Sequence, residues 1–285
     1  MINKKIINIE INDAYIKILF LKKHKKSVSV EKTIIKPMNS PNEYINNKIL
    51  DNVELYKSEI VKTIKTELGD KNKGYKEIYY NMQNEDILIR NISILNVKNK
   101  KDIKSMIEFE ITQYIPINIK NYIMEYKILN SNGSNINLKL ILVPIIMANL
   151  CYEISDMLNM KPKKLSVNFD ILQKIIDLDL IEDICENAVF IEDKGNEFIL
   201  SLAKNRIIDE SYILHKSPNS YESVLNLTKD FDTVYYYGIE DEVIIKNIET
   251  LKNFKKLELK EAVISKDEND KMHNLEYING IGMII

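Results

Sequence analysis

Residues 87–129 contain ILIRNISIL (87–95), KDIKSMIEFEITQYIPI (101–117) and NYIMEYKIL (121–129), and their order decides the fold. In the first piece Ile87, Ile89, Ile92 and Ile94 are apolar strand positions. In the second, Ile103, Met106, Ile107, Ile111 and Tyr114 recur at helical spacing, with Asp102 placed to cap the helix. Pro116 would clash with the carbonyl four residues back, so the helix stops just before it. The third piece is again a strand. The sequence NSNGSN then turns it into a further strand, Ile136–Val143. A helix over Met147–Leu158 completes a β-α-β-β-α unit.

Upstream of this unit, Ile7, Ile9 and Ile11 alternate with Asn8, Glu10 and Asn12. That period of two predicts a strand, a polar turn at Asn12-Asp13 and a second strand at Tyr15–Phe20. The lysine-rich run Lys22–Lys26 reads as a solvated turn before a third strand, Val28–Ile35. Pro37 and Pro41 interrupt the pattern. A helix over 54–68 follows, ended by Gly69, then a short strand at Lys76–Asn81. Downstream, Lys164–Val167 is a strand, Phe169–Leu178 a helix and Glu182–Asn187 a polar break. Three strands then recur, at Ala188–Ile191, Glu197–Ala203 and Ile207–Leu214. A three-strand opening that occurs twice is an internal repeat. Helix Tyr221–Lys229, strand Thr233–Tyr237, helix Glu242–Lys252, strand Lys256–Leu259 and a helical tail near Tyr277–Gly282 complete the expectation.

The composition excludes several functions. A net charge of −2 offers no global field for nucleic acid. The longest apolar run, near Ile141–Met147, is far shorter than the ~20 residues that span a bilayer. The first residues carry no apolar core of a signal peptide, so a cytoplasmic location is expected. Cys151 and Cys185 form no metal pattern, and His24, His215 and His273 are scattered among polar residues. The seven glycines form neither a P-loop nor a dinucleotide fingerprint. Arginine occurs only at Arg90 and Arg206.

The doubled three-strand opening resembles the actin-like (ribonuclease H-like) α/β fold, in which two lobes face each other across a nucleotide cleft. The segments Arg90–Leu95, Glu110–Ile117 and Glu125–Leu129 resemble the REIELP, E-x-QYIPF and DYxVL motifs of the PilM family of type IV pilus assembly. Leu140–Pro144 and Leu158–Leu172 resemble its next strand and junction. The resemblance implies a first lobe over 1–83 and 163–181. It implies an inserted 1C subdomain of the type found in the cell-division protein FtsA over 84–162, and a second lobe over 182–285. Only one short helix fits between Leu214 and Thr233, so subdomain 2B is expected to be absent or reduced.

The resemblance also implies partners. Members of this family take up the short cytoplasmic N-terminal tail of PilN, a membrane protein, and dock the inner-membrane assembly platform to motor ATPases. Membrane association would then come through partners. The implied binding residues are Arg90, Tyr114, Ile115 and Pro116, with Tyr79 and Met82 on a groove wall. Against this, the expected nucleotide loops are altered. The first reads Glu10-Ile11-Asn12-Asp13-Ala14-Tyr15-Ile16-Lys17 instead of DIGSSSVK, so the glycine that lets backbone N–H groups approach phosphate is missing. The second reads Asp193-Lys194-Gly195-Asn196-Glu197, and the adenosine motif keeps only Gly238, after Tyr235–Tyr237. Acidic side chains at Asp13 and Glu197 would repel phosphate. The expectation is a pseudo-ATPase adaptor with no cofactor and no enzymatic activity. The alternatives are a working nucleotide switch using Lys17, Asp193 and Gly238, and the cytoplasmic scaffold of a type II secretion system.

Overall fold

The structure is a computed structural model. It describes residues 4–25, 27–38, 48–69, 74–97, 99–217, 220–239, 245–246, 253–260 and 274–285. Apart from Ile245 and Lys246, the helix expected over Glu242–Lys252 lies outside the described residues. The chain forms two compact units, Met1–Gln83 with Cys151–Ile285, and Asn84–Leu150.

In chain order the elements begin with strands β1 (Lys4–Ile11), β2 (Tyr15–Lys23) and β3 (Val28–Pro37), helix α1 (Val53–Leu68) and strand β4 (Glu77–Met82). Next come β5 (Leu88–Leu95), α2 (Lys100–Tyr114), β6 (Tyr122–Ser131), β7 (Asn135–Pro144), α3 (Ile145–Met157), β8 (Lys161–Val167) and α4 (Asn168–Asp177). The remainder is β9 (Ala188–Asp193), β10 (Glu197–Lys204), β11 (Ile207–His215), α5 (Ser220–Thr228), β12 (Thr233–Gly238), β13 (Phe254–Lys256) and α6 (Asn274–Ile284).

The larger unit holds two five-stranded sheets, ordered β3-β2-β1-β4-β8 and β11-β10-β9-β12-β13. In each, a central strand pairs antiparallel with the next strand in sequence and parallel with a later one: β1 with β2 and β4, β9 with β10 and β12. The repeat read from the alternation is therefore a repeat of topology. The central strands are covered on both faces. Ile6, Ile7, Ile9 and Ile11 of β1 are fully buried, as are Val189 and Ile191 of β9. Parallel pairing needs a crossover, and helices on the faces supply it. Helix α1 buries Tyr56, Ile60, Val61, Ile64 and Leu68 along one stripe.

Helix α6 packs on β1 and β4 of the first sheet, on β12 of the second and on α4. Close approach explains two of its residues. A Cβ on Gly280 would stand 2.2 Å from Leu19 Cδ1, and one on Gly282 would stand 2.4 Å from Ile175 Cδ1.

The smaller unit is a three-stranded sheet, β5-β7-β6, with α2 on one face. Ile103, Ile107 and Ile111 of α2 meet Ile94, Ile136, Leu138, Leu140 and Leu142. The helix cap differs from the expectation. Asn99 accepts from the Lys101 backbone N–H, while Asp102 lies inside the first turn, where its charge complements the helix dipole. The compact unit ends at Leu150, within α3, rather than at residue 162.

Ile107 is fully buried, whereas Phe109 on the same helix is 67% exposed. Ile107→Ala is expected to destabilise by ~2–5 kcal/mol, from lost burial and the cavity left behind. Phe109→Ala should stay within about 0.5 kcal/mol of the parent. Equilibrium urea unfolding reads both.

Candidate functional site

The β1–β2 turn stands where the first phosphate loop was expected. Asn12 closes it upon itself: its side-chain oxygen accepts from the backbone N–H groups of Ala14 and Tyr15, both at 2.9 Å. The Asp13 carboxylate accepts from the Ile49 N–H at 2.8 Å. The Tyr56 hydroxyl donates to the carbonyl oxygens of Asn12 and Asp13. The turn donors that a phosphate loop would aim at its ligand are thus engaged by the chain's own oxygens. Asp13 serves as an anchor for the segment at Ile49.

The β9–β10 turn shows the same economy. The fully buried Asp193 carboxylate accepts from the Gly195 N–H at 2.7 Å, the Lys216 amine at 2.7 Å and the Tyr236 hydroxyl at 2.7 Å. Gly195 takes φ +89°, and the Lys194 N–H returns to the Glu197 carbonyl at 2.9 Å. Gly238 has φ +103°, and a Cβ there would stand 2.2 Å from the Asp193 carbonyl oxygen. This glycine is required by the close approach of β12 to β9.

Between the two turns lies a buried group of charges. Glu10 of β1 receives the Tyr15 hydroxyl at 2.9 Å and lies 3.6 Å from the Lys17 amine. The Lys194 amine reaches across from the second sheet to the Glu10 carboxylate and stands 2.5 Å from Glu192 of β9. Glu192 also accepts from the side-chain amides of Asn168 at 2.7 Å and Asn279 at 2.5 Å, and from the Tyr237 hydroxyl at 3.3 Å. Glu10, Lys17, Glu192 and Lys194 are each at most 3% exposed, and their formal charges cancel.

Burial alone would raise the pKa of Glu10, but Lys17 and Lys194 overcome it and hold the carboxyl down at about 2. Burial would likewise lower Lys194, yet Glu10 and Glu192 keep its amine protonated well beyond the ordinary range. Burial, then the facing carboxylates Glu10 and Glu192, push the phenols of Tyr15 and Tyr237 up.

Sequence reasoning named Glu10, Asn12, Asp13, Lys17, Asp193, Gly195 and Gly238. It did not name Glu192 or assign a role to Lys194. The available signal was an acidic residue inside each apolar central strand, Glu10 in IINIEI and Glu192 in AVFIED. The tyrosine run also separates. Tyr235 stacks on Phe190 with ring centroids 5.1 Å apart, and Tyr236 belongs to the core of the second sheet. Tyr237 is the one of the three that reaches the charge group through Glu192.

The residues expected to bind a peptide fall in both units. In the smaller unit Tyr114 is the last residue of α2 and is 75% exposed. Pro116 and Arg90 are exposed, and the Arg90 guanidinium donates to the Ile89 carbonyl at 2.8 Å. Ile115 is half-buried and packs on the unit's core. In the larger unit Tyr79 is half-buried, and Met82 is fully buried, so Met82 presents no surface. Its place at the end of a central parallel strand explains this. Among the described residues, no helix is long and apolar enough to cross a membrane.

Two repeated sheets with an inserted β-α-β-β-α unit define an actin-like ATPase fold, and solved structures of that class match nearly the whole chain. The structure of the PilM-PilN type IV pilus biogenesis complex matches with a TM-score of 0.71 at 12% identity, over 97% of this chain and 96% of that one. A Bacteroides thetaiotaomicron protein with an actin-like ATPase fold and unknown function gives 0.57 at 9% identity, over 98% and 95%. The cytoplasmic domain of EpsL, an inner-membrane component of the Vibrio cholerae type II secretion system, gives 0.53 at 10% identity, over 99% and 95%. A search of curated proteins finds no match. The family described as type IV pilus assembly protein PilM matches residues 8–158, just over half of the chain, and the chain belongs to that family.

Glu10 stays ionised in the fold down to about pH 2, against an ordinary value of 4.5. Its contribution to stability is therefore complete above about 4.5 and is lost as pH falls from there through about 2. Glu10→Gln should flatten this limb of the stability–pH curve, read by urea unfolding across that window. Gly238→Ala should destabilise by more than ~1 kcal/mol, since it adds both a strained φ and a backbone clash.

Proposed function

We propose that this protein is a cytoplasmic adaptor of the type IV pilus inner-membrane platform. In this reading it binds the N-terminal tail of a PilN-like membrane protein and links the platform to motor ATPases, and it hydrolyses nothing. The observation that carries the adaptor reading is the exposed end of α2. Tyr114 projects into solvent beside Pro116, on a unit whose core is anchored by Ile107 and Ile111 behind it. An aromatic ring on a rigid element is a low-entropy anchor for a peptide. The PilM-PilN complex supports the choice of partner, since it is a solved relative of the same fold.

The pseudo-ATPase reading is supported by the state of the two turns. Their donors are engaged by Asn12, Asp193 and Glu197, and the Lys194 amine bridges Glu10 and Glu192 in the space between them. Mg-ATP would have to break a neutral, fully buried ion-pair group to enter that space. Catalysis by phosphoryl transfer needs donors preorganised toward a developing charge, and here they point inward.

Isothermal calorimetry tests both parts. A synthetic peptide from the start of the PilN-like protein should bind the full chain, and Tyr114→Ala should weaken it about tenfold, the scale of one anchor residue. Absence of binding at high micromolar peptide would remove the adaptor reading. Mg-ATP should give no binding heat. Heat that fits a micromolar site would instead favour the nucleotide switch.

A further inference from the structure

We infer that Glu10, Lys194 and Glu192 form a latch that holds the two five-stranded sheets closed, and that releasing it frees helix α6. The inference is independent of which peptide the smaller unit takes.

Lys194 leaves the β9–β10 turn of one sheet and ends on a carboxylate of the central strand of the other. The same amine holds Glu192, and Glu192 in turn holds α6 through Asn279. One cation therefore ties three elements: β1, β9 and α6. Removing its charge leaves two buried carboxylates facing each other, which drives the sheets apart.

The surroundings are built unlike a permanent seam. Asn8 and Asn81 are fully buried on the first sheet, and neither side-chain amide meets a hydrogen-bond partner within the protein. Asn8 lies on the face of β1 that carries Glu10, and Asn81 is the β4 residue in register with Glu10. The side-chain oxygens of Asn168 and Asn279 also meet no donor within the protein, although their amide nitrogens reach Glu192. Burying these charges and amides carries a desolvation cost that opening relieves. Closure is thus a balance between an ion-pair gain and a polar cost, which is the physical requirement for a two-state element.

Helix α6 is the part that the balance controls. Its residues Tyr277, Ile278, Ile281, Met283 and Ile284 are buried, so the helix is docked by apolar packing as well. Its polar ties include Asn279 to Glu192, the Lys23 amine to the Ile284 carbonyl at 2.6 Å and the Lys174 amine to the Gly282 carbonyl at 3.0 Å. The Glu192 tie is the one that the latch can withdraw.

Hydrogen–deuterium exchange of the full chain, read by mass spectrometry, tests the latch. Lys194→Met should raise exchange in 274–284 by about tenfold or more, with the strands of 84–150 unchanged, as expected for sub-global opening. Lys194→Arg, which keeps the charge, should hold α6 at the parent rate. Should Lys194→Met fail to fold, Glu192→Ala carries the same test, because it withdraws the carboxylate that holds Asn279 while Lys194 keeps its partner Glu10. The idea is overturned if the variant that folds leaves α6 within about twofold of the parent. It is equally overturned if exchange rises to the same extent throughout 84–150, since that is loss of global stability.

Discussion

A lysine amine buried between two glutamates is the interaction on which the larger unit depends. Burying any one of these charges alone would be prohibitive, so each is tolerated because the others are present. Lys194 answers Glu10 and Glu192, Lys17 answers Glu10, and Tyr15, Tyr237, Asn168 and Asn279 complete the carboxylates' hydrogen bonds. The position matters as much as the pairing. Glu10 and Glu192 occupy the central strands of the two sheets, so a local charge balance becomes a link between halves of the molecule.

The same constraint explains why the chain keeps the outline of an ATPase fold while its turns look inward. In a phosphate loop the backbone N–H groups remain free for an anion. Here Asn12 and Asp193 place a side-chain oxygen in the position where an anion would satisfy those donors, and Gly238 is held by steric need. The smaller unit is organised differently. It has an ordinary apolar core under α2 and leaves Tyr114 and Pro116 in solvent at the end of that helix. The turns of the larger unit bind the chain's own oxygens, and the smaller unit offers surface.

Much of this was legible from residue pattern. Alternation over Ile7–Asn12 and the recurrence at Ala188 revealed the doubled sheet, and Pro116 marked the end of α2. Other features were misread for physical reasons. Asp13 and Glu197 drew notice only for their charge, and their structural roles went unread. Asp13 in fact binds the Ile49 N–H, and Glu197, which is buried, returns its carbonyl to Lys194. Asp102 looked like a cap, but a helix begins where a side chain can reach back to a free N–H, and Asn99 does so. Met82 looked available for a groove, but the end of a central parallel strand is covered.

By itself the sequence determined the elements, their order and the family, because these follow from periodicity, turn chemistry and local motif. It also showed that the two turns depart from the glycine-bearing phosphate-loop pattern. What the turns do instead was decided by tertiary structure alone. Glu10 and Lys194 are separated by most of the chain, and nothing local indicates that a lysine in one turn will neutralise a glutamate in another sheet. Ion pairing acts through space, and only the packing of the two sheets brings those charges within reach of each other.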